Sequence, residues 1–418
     1  MNADRVILGE NAVYSTDSSV TGLNNNVLVC GGSGSGKTMS VSESRLLETC
    51  HSSLIATVTK RRIVNRYKPL FEQRGYTVED LNFTHPEESS IAFDPLQYVK
   101  SYTDISFLAK SIVMANPKKE KSNQDPFWDD SAASLLSAEI AYTLMTKKNA
   151  SFSDVLAFHD RLDFQEAGGE ITTSMDDQFY RIAKQDPDCF ALSCWKTFRK
   201  LPVRTAGCTF SALNTTLDTL FSPELRKMMA LENKLDFRQL ARQKTLLFVT
   251  SSPVNTSLHS FVNLFYAQAF KSLFDYAESL PDNRLPIPVH ILCDDFATGS
   301  PIPNFAEYIS VFREAQISVT LLIQSESQLE SLYGSSEATT IINNCDSYLY
   351  LGGMDLKTGR SVSERLNLPL EEVLYMPVGR EYLFRRGEKP LKTRRYDITR
   401  DERYVKLRET DGKEADGR

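Results

Sequence analysis

Val27-Leu28-Val29-Cys30-Gly31-Gly32-Ser33-Gly34-Ser35-Gly36-Lys37-Thr38 runs from a short apolar strand into the pattern G-x-x-x-x-G-K-T. Glycines at this spacing let successive backbone N–H groups turn inward around an anion, and the helix that follows adds its positive N-terminal end. The pattern is a phosphate cradle, which makes Gly31, Gly32, Ser33, Gly34, Ser35, Gly36, Lys37 and Thr38 the candidate nucleotide-binding residues. Lys37 is placed to reach the β- and γ-phosphates of ATP, and the Thr38 hydroxyl to ligate Mg2+. The context fits a cradle better than a chance glycine-rich turn. Met39, Val41, Leu46 and Leu47 follow at a spacing that gives a helix a buried stripe.

A metal-assisted phosphate site also needs an acid. Val289-His290-Ile291-Leu292-Cys293-Asp294-Asp295 is an apolar strand ending in two carboxylates. Asp294 stands where such proteins place the Mg2+-binding Asp, and Asp295 where a carboxylate orients or deprotonates the attacking water. Leu321-Leu322-Ile323-Gln324 ends another strand in a Gln, the place from which a RecA-like core senses the γ-phosphate. Arg313, on the helix between these strands, reads either as an arginine finger for a neighbouring subunit or as a surface salt-bridge partner.

The rest of the chain bounds this reading. With 418 residues, 41% hydrophobic and 24% charged, the protein can bury one large α/β core and an inserted subdomain. No run approaches the roughly 20 apolar residues of a membrane helix, and the first residues do not form a signal peptide. Seven cysteines without a C-x-x-C pair point to reduced thiols in the cytoplasm, with Cys30, Cys293 and Cys345 as buried hydrophobes. Five scattered histidines offer no metal-ligand spacing, so no structural metal is expected. A formal charge of −6 excludes a uniformly basic nucleic-acid binder. Local clusters remain at Lys60-Arg61-Arg62 with Arg66 and Lys68, at Lys118-Lys119-Glu120-Lys121, and at Lys392-Thr393-Arg394-Arg395, as a DNA channel lining or as solvated surface.

Strand and helix patterns alternate over residues 5 to 100, give way to helical patterns from about Asp104 to Met229, and resume after residue 240. Expected strands include Leu54–Thr59, Tyr76–Leu81, Thr245–Val249, Val289–Cys293, Val319–Ile323 and Tyr348–Leu351. Expected helices include Ile63–Arg74, Ser131–Leu144, Phe261–Glu278 and Phe305–Ala315. The reading is a RecA-like α/β nucleotide-binding domain with a parallel-sheet core (1–117 and 206–398), interrupted by an inserted all-α domain (118–205) and followed by a flexible tail (399–418).

In this order the pieces resemble the TraG/TraD family of type IV secretion coupling proteins. Asn24-Asn25-Asn26-Val27-Leu28-Val29, Asp294-Asp295-Phe296-Ala297, Ile317-Ser318-Val319-Thr320-Leu321-Leu322-Ile323-Gln324-Ser325, and Asn344-Cys345-Asp346 with Leu351-Gly352-Gly353 carry the resemblance. It implies a P-loop ATPase with ATP and Mg2+ that assembles as a homo-hexamer at the inner face of the cell membrane; without membrane helices to concentrate the subunits, a monomer is expected in dilute solution. Such a machine feeds relaxase-bound single-stranded DNA into a type IV secretion channel, with the helical insertion selecting substrates. Asp125-Pro126-Phe127-Trp128 resembles the start of that insertion's main helix; its rings would anchor the core or stack on bases. The family's N-terminal membrane helices have no counterpart here, which leaves a soluble form or the cytosolic portion of a longer protein. Asp295 replaces the usual Glu, and Val58-Thr59-Lys60-Arg61-Arg62 replaces D-P-K-G-E. Two other functions share the core: a nucleotide-gated docking module with negligible turnover, and an FtsK/HerA-like DNA pump.

Overall fold

The apolar strands lie side by side in a computed structural model, which describes residues 3–115, 126–167, 170–252 and 254–416. In chain order the main sheet consists of β1 (Val27–Cys30), β2 (Ser53–Val58), β3 (Thr77–Asn82), β4 (Thr245–Thr250), β5 (Val289–Cys293), β6 (Ile317–Ile323), β7 (Ser347–Tyr350), β8 (Arg380–Arg385) and β9 (Leu391–Arg394). Their order across the sheet is β9-β8-β7-β1-β6-β5-β2-β4-β3. Pairing is parallel from β7 through to β3. The β8 and β9 strands extend the edge antiparallel.

Parallel strands are buried on both faces, which is why they read as continuous apolar runs. Alternate residues divide between two cores. Leu28, Cys30, Ile291, Cys293, Leu321 and Ile323 face the side covered by the helices Thr256–Glu278 and Phe305–Ala315 and by the helical insertion. Val27, Val29, Leu54, Ala56, Phe248 and Leu322 face the helices that follow β1 and β2, which supply Leu46, Leu47, Ile63, Val64 and Tyr67. All seven cysteines are free, with Cys30, Cys293 and Cys345 buried.

The Asn-rich segment before β1 and the Asn344–Asp346 segment before β7 form one clamp at the entrance edge of the sheet. Asn24 and Asn26 amides donate to the Asn344 carbonyl at 3.0 Å each, the Asn24 N–H donates to Asp346 Oδ2 at 2.6 Å, and the Val319 N–H donates to Asn26 Oδ1 at 3.1 Å. These side chains hold β7, β1 and β6 in register, so these motifs do structural work.

Several sequence expectations change. The insertion is not all helical: a two-stranded antiparallel hairpin pairs Phe164–Ala167 with Glu170–Thr173. Its expected boundary after residue 205 falls inside the helix Val203–Leu220, and the boundary after 117, like the Lys118–Lys121 cluster and Asp125, lies outside the described residues. Phe127 and Trp128 are each 42% exposed, edge-on to one another at 5.6 Å, and so do not anchor the core. The tail expected to be flexible contains the helix Glu402–Asp416. Tyr404 is buried there, and its hydroxyl accepts from Arg66 at 2.9 Å beside the buried Arg66–Glu43 ion pair. A charged composition alone misled, because Tyr404 and Leu407 pack on the second core and Arg403 pairs with Glu48, which together dock the helix.

Candidate active site

Polar chemistry collects where the parallel strands end. The first backbone bonds after β1 shape the cradle: the Gly31 N–H donates to the Ile323 carbonyl of β6 at 3.1 Å, and the Gly32 N–H to the Gly352 carbonyl beyond β7 at 2.9 Å. Gly31 has no room for a side chain, since a Cβ there would stand 2.9 Å from Leu351 Cβ. Gly34 and Gly36 take left-handed φ values of 74° and 91°, which turn the loop back toward its helix. That helix opens with a wide π turn over Thr38–Ser42 before becoming α-helical at Glu43–Glu48. Val41, Leu46 and Leu47 are buried as expected, whereas Met39 is 40% exposed.

Lys37 is buried, and its Nζ donates to the Gly31 and Gly32 carbonyls at 2.5 and 3.2 Å. Burial lowers its pKa, and the Asp295 and Asp294 carboxylates oppose that shift. Both acids therefore face the cradle lysine electrostatically. The Thr38 hydroxyl donates to Asp294 Oδ2 at 3.4 Å. Desolvation, reinforced by the Asp295 charge, pushes the Asp294 carboxyl up to about 6. Two hard oxygens in contact beside a phosphate cradle fit Mg2+, which takes few protein ligands and completes its shell with phosphate oxygens and water. Thr38 and Asp294 would hold it.

Asp295, two residues after the end of β5, takes a left-handed φ of 51°. The turn is braced from behind: the Thr298 hydroxyl donates to the Asp295 carbonyl at 2.7 Å, His259 bridges Thr298 and the Ser252 carbonyl at 2.5 and 2.6 Å, and Asn263 donates to the Thr298 carbonyl at 2.9 Å. Gly299 allows this approach, because a Cβ there would lie 2.9 Å from His259 Cβ. Gln324 follows β6, exposed and next to the cradle through the Ile323–Cys30 pair. Lys37, Thr38, Asp294, Asp295 and Gln324 thus share one end of the sheet. Arg313 does not: it is exposed and precedes β6 at the opposite end. Seven residues of strand separate it from the cradle, on the order of 20 Å.

Residues 2–368 match the family described as "Type IV secretory system Conjugative DNA transfer". The chain belongs to this family. Among solved structures, the family member is similar to the bacterial conjugative coupling protein TrwBdeltaN70 in complex with sulphate, with a TM-score of 0.68 at 18% identity over 89% of this chain and 85% of the other. It is also similar to the plasmid coupling protein TrwB in complex with ADP and Mg2+ (TM-score 0.67, 17% identity, 89% and 85% covered). VirB4 of Thermoanaerobacter pseudethanolicus follows at a TM-score of 0.55 and 11% identity, with 91% of each chain covered. These likenesses establish the RecA-like P-loop fold. Comparison with curated proteins gave no match. Among the described residues of this conjugative-transfer protein, no helix is long and apolar enough to cross a membrane.

Of the basic clusters, the first is partly consumed by structure: Arg61 pairs with Asp80 at 2.6 Å and Arg66 with Glu43 at 3.0 Å. The third touches the site, because Arg395 Nη1 donates to the Ser35 carbonyl of the cradle. Sequence reasoning missed Arg395, the Gly352 carbonyl and the His259–Thr298 brace as site components. Two of these carried a signal: Gly352-Gly353, as a glycine pair closing an apolar strand, and Arg395, as a member of the third basic cluster.

Proposed function

We propose that this family member binds Mg·ATP in the cradle, hydrolyses it, and uses the cycle to drive relaxase-bound single-stranded DNA into a type IV secretion channel, as a homo-hexamer at the cytoplasmic face of the membrane. One observation carries the reading: in a chain of the conjugative DNA transfer family, Lys37, Thr38, Asp294, Asp295 and Gln324 converge on one end of one sheet. TrwB, to which the chain is structurally similar, has been seen with ADPNP and with ADP and Mg2+. Each residue has a defined task. Cradle amides and Lys37 hold phosphate oxygens, Thr38 and Asp294 hold Mg2+, Asp295 orients the attacking water and accepts its proton, and Gln324 reports the nucleotide state. Bound Mg2+ supplies charge neutralisation on the phosphates.

A pair of variants tests the assignment. Lys37→Ala is expected to lose ADP binding in calorimetry while unfolding at nearly the wild-type temperature. Asp295→Asn is expected to keep ADP affinity within about threefold and slow hydrolysis about a hundredfold or more. Unchanged nucleotide affinity in Lys37→Ala, or full turnover in Asp295→Asn, would remove that residue from its role. Negligible wild-type turnover with intact ATP binding would instead favour the nucleotide-gated docking module.

A further inference from the structure

The parallel strands begin at the end of the sheet opposite the cradle, and a second polar cavity opens there. It measures about 290 Å3 and lies between the N-terminal segment, the turn after the helix Glu43–Glu48, and the starts of β5 and β6. Three arginines from three elements line it. Arg45 comes from that helix, Arg284 from the turn before β5, and Arg313 from the helix Phe305–Ala315. The volume lies at the small end of ligand pockets, which suits a hydrated ion better than a large molecule.

Arg45 is only 5% exposed. Its Nη1 donates to the Arg5 carbonyl at 3.3 Å, and its Nε has no partner among the described residues. Burial lowers its pKa and the Asp4 carboxylate opposes that shift, yet a guanidinium stays protonated in proteins. A cation is thus kept in the interior, where an unpaired charge is costly. The carboxylates around it are engaged elsewhere. Asp4 accepts from the Cys50, His51 and Ser52 N–H groups at 2.6, 2.8 and 3.1 Å, Asp17 accepts from the Ser19 N–H at 2.9 Å, and Glu48 pairs with Arg5 and Arg403. Among the described residues no carboxylate forms an ion pair with Arg45, Arg284 or Arg313. His290 brings no negative charge: desolvation, with the Arg45 charge adding to it, holds the ring neutral between Ser318 and Thr320.

Arg284 and Arg313 are exposed at the mouth of the cavity. The Leu285 N–H donates to the Ala315 carbonyl at 3.1 Å and the Val289 N–H to the Gln316 carbonyl at 3.0 Å, which ties the turn that carries Arg284 to the end of the helix that carries Arg313. Three guanidinium groups against the carboxylates of Asp4 and Asp17 leave the lining net positive. The guanidinium fork matches the oxygens of a phosphate. We propose that this cavity is a second anion site, separate from the cradle, that takes a phosphate-class oxyanion, with Arg45 at its floor and Arg284 and Arg313 at its mouth. Two sources carry that chemistry: free inorganic phosphate, and the terminal phosphate of a nucleotide held by a neighbouring chain. The second source rests on the hexamer proposed above.

Calorimetric titration of the dilute full chain with inorganic phosphate, in a Lys37→Ala background that disables the cradle, isolates the second site. Phosphate should still bind. Arg284→Ala, at an exposed position that the fold does not need, should weaken it about tenfold or more, the scale of one lost hydrogen bond to a charged group. Arg45→Met should weaken it at least as much, and phosphate should raise the unfolding temperature of the Lys37→Ala chain but not of the Arg45→Met variant. That result makes free phosphate the ligand. Absence of phosphate binding by the dilute chain, together with an Arg284→Ala variant that keeps its ADP affinity but loses about tenfold of the ATP turnover gained at high protein concentration, would assign the oxyanion to the neighbour's nucleotide. Phosphate binding unaltered in both Arg284→Ala and Arg45→Met, or no phosphate binding with full turnover in Arg284→Ala, would overturn the anion site while leaving the cradle standing.

Discussion

Asp294 sits in a desolvated corner beside a second carboxylate, and the two effects together push its carboxyl up to about 6. Its ionised form is thus costlier than usual in the isolated protein, and a cation alongside would favour it. The sign follows directly. The folded pKa is raised above the unfolded value near 3.8, so the folded state holds the extra proton between about pH 4 and 6, and Asp294's contribution to stability falls as pH rises through that window. Mg2+ requires the carboxylate, so Mg2+-dependent nucleotide affinity should drop as pH is lowered through about 6. Thermal stabilisation by Mg·ADP, measured at pH 5 and pH 7.5, should be markedly larger at the higher pH, and the difference should shrink in Asp294→Asn. An equal stabilisation at both pH values would place the metal elsewhere. The residues behind this behaviour were legible in the sequence because each sits in a contiguous stretch at a strand end. Arg395 was not, since its contact with Ser35 joins residues 360 apart, and no local pattern encodes such a meeting.

At the scale of elements, legibility tracked burial. Strand β5 and the helix Phe305–Ala315 coincide with the expected ranges, because an apolar run bounded by turn residues, or a clear helical stripe, leaves few alternatives. The β8–β9 hairpin went unread: Arg380, Glu381, Lys392 and Arg394 break the apolar signal of an edge that is only half covered. The helix Glu326–Asn343 was missed because Gly334, at φ 80°, divides it into two weakly amphipathic pieces. The hairpin also buries a carboxyl whose identity as Glu hides its environment. Glu381 is 1% exposed, its Oε1 has no hydrogen-bond partner, and Gly9 packs so closely that a Cβ there would strike that oxygen. Burial pushes Glu381 up to about 8, with Arg395 pulling the other way. An acid whose pKa is raised on folding loses stability as pH climbs from its unfolded value near 4.5 through 8. Glu381→Gln should therefore raise the unfolding free energy at pH 9, by an amount on the order of 1–3 kcal/mol, and have little effect at pH 5. Denaturant unfolding at the two pH values reads this out, and a variant destabilised equally at both would show that Glu381 is ionised and paired.

For the whole molecule, the position of Arg313 matters most. It lies at the far end of β6 from the chain's own cradle and lines a polar cavity with Asp4, Arg45 and Arg284. Such an arginine could act on ATP only across a subunit boundary, so an arginine-finger role for it requires the proposed hexamer. Engagement of DNA by cationic side chains around such a ring should weaken steeply with added salt, as phosphate contacts release counterions. The central claim, a DNA-stimulated ATPase completed by neighbouring subunits, is tested most directly by ATP turnover per subunit, with and without single-stranded DNA, over a wide range of protein concentration on material sized by light scattering. The account predicts weak turnover by dilute monomer, a rate per subunit that rises with concentration and with DNA, and loss of that rise in Arg313→Ala. Full stimulation in Arg313→Ala would remove that residue as the finger, and a rate independent of DNA and of protein concentration would contradict the account.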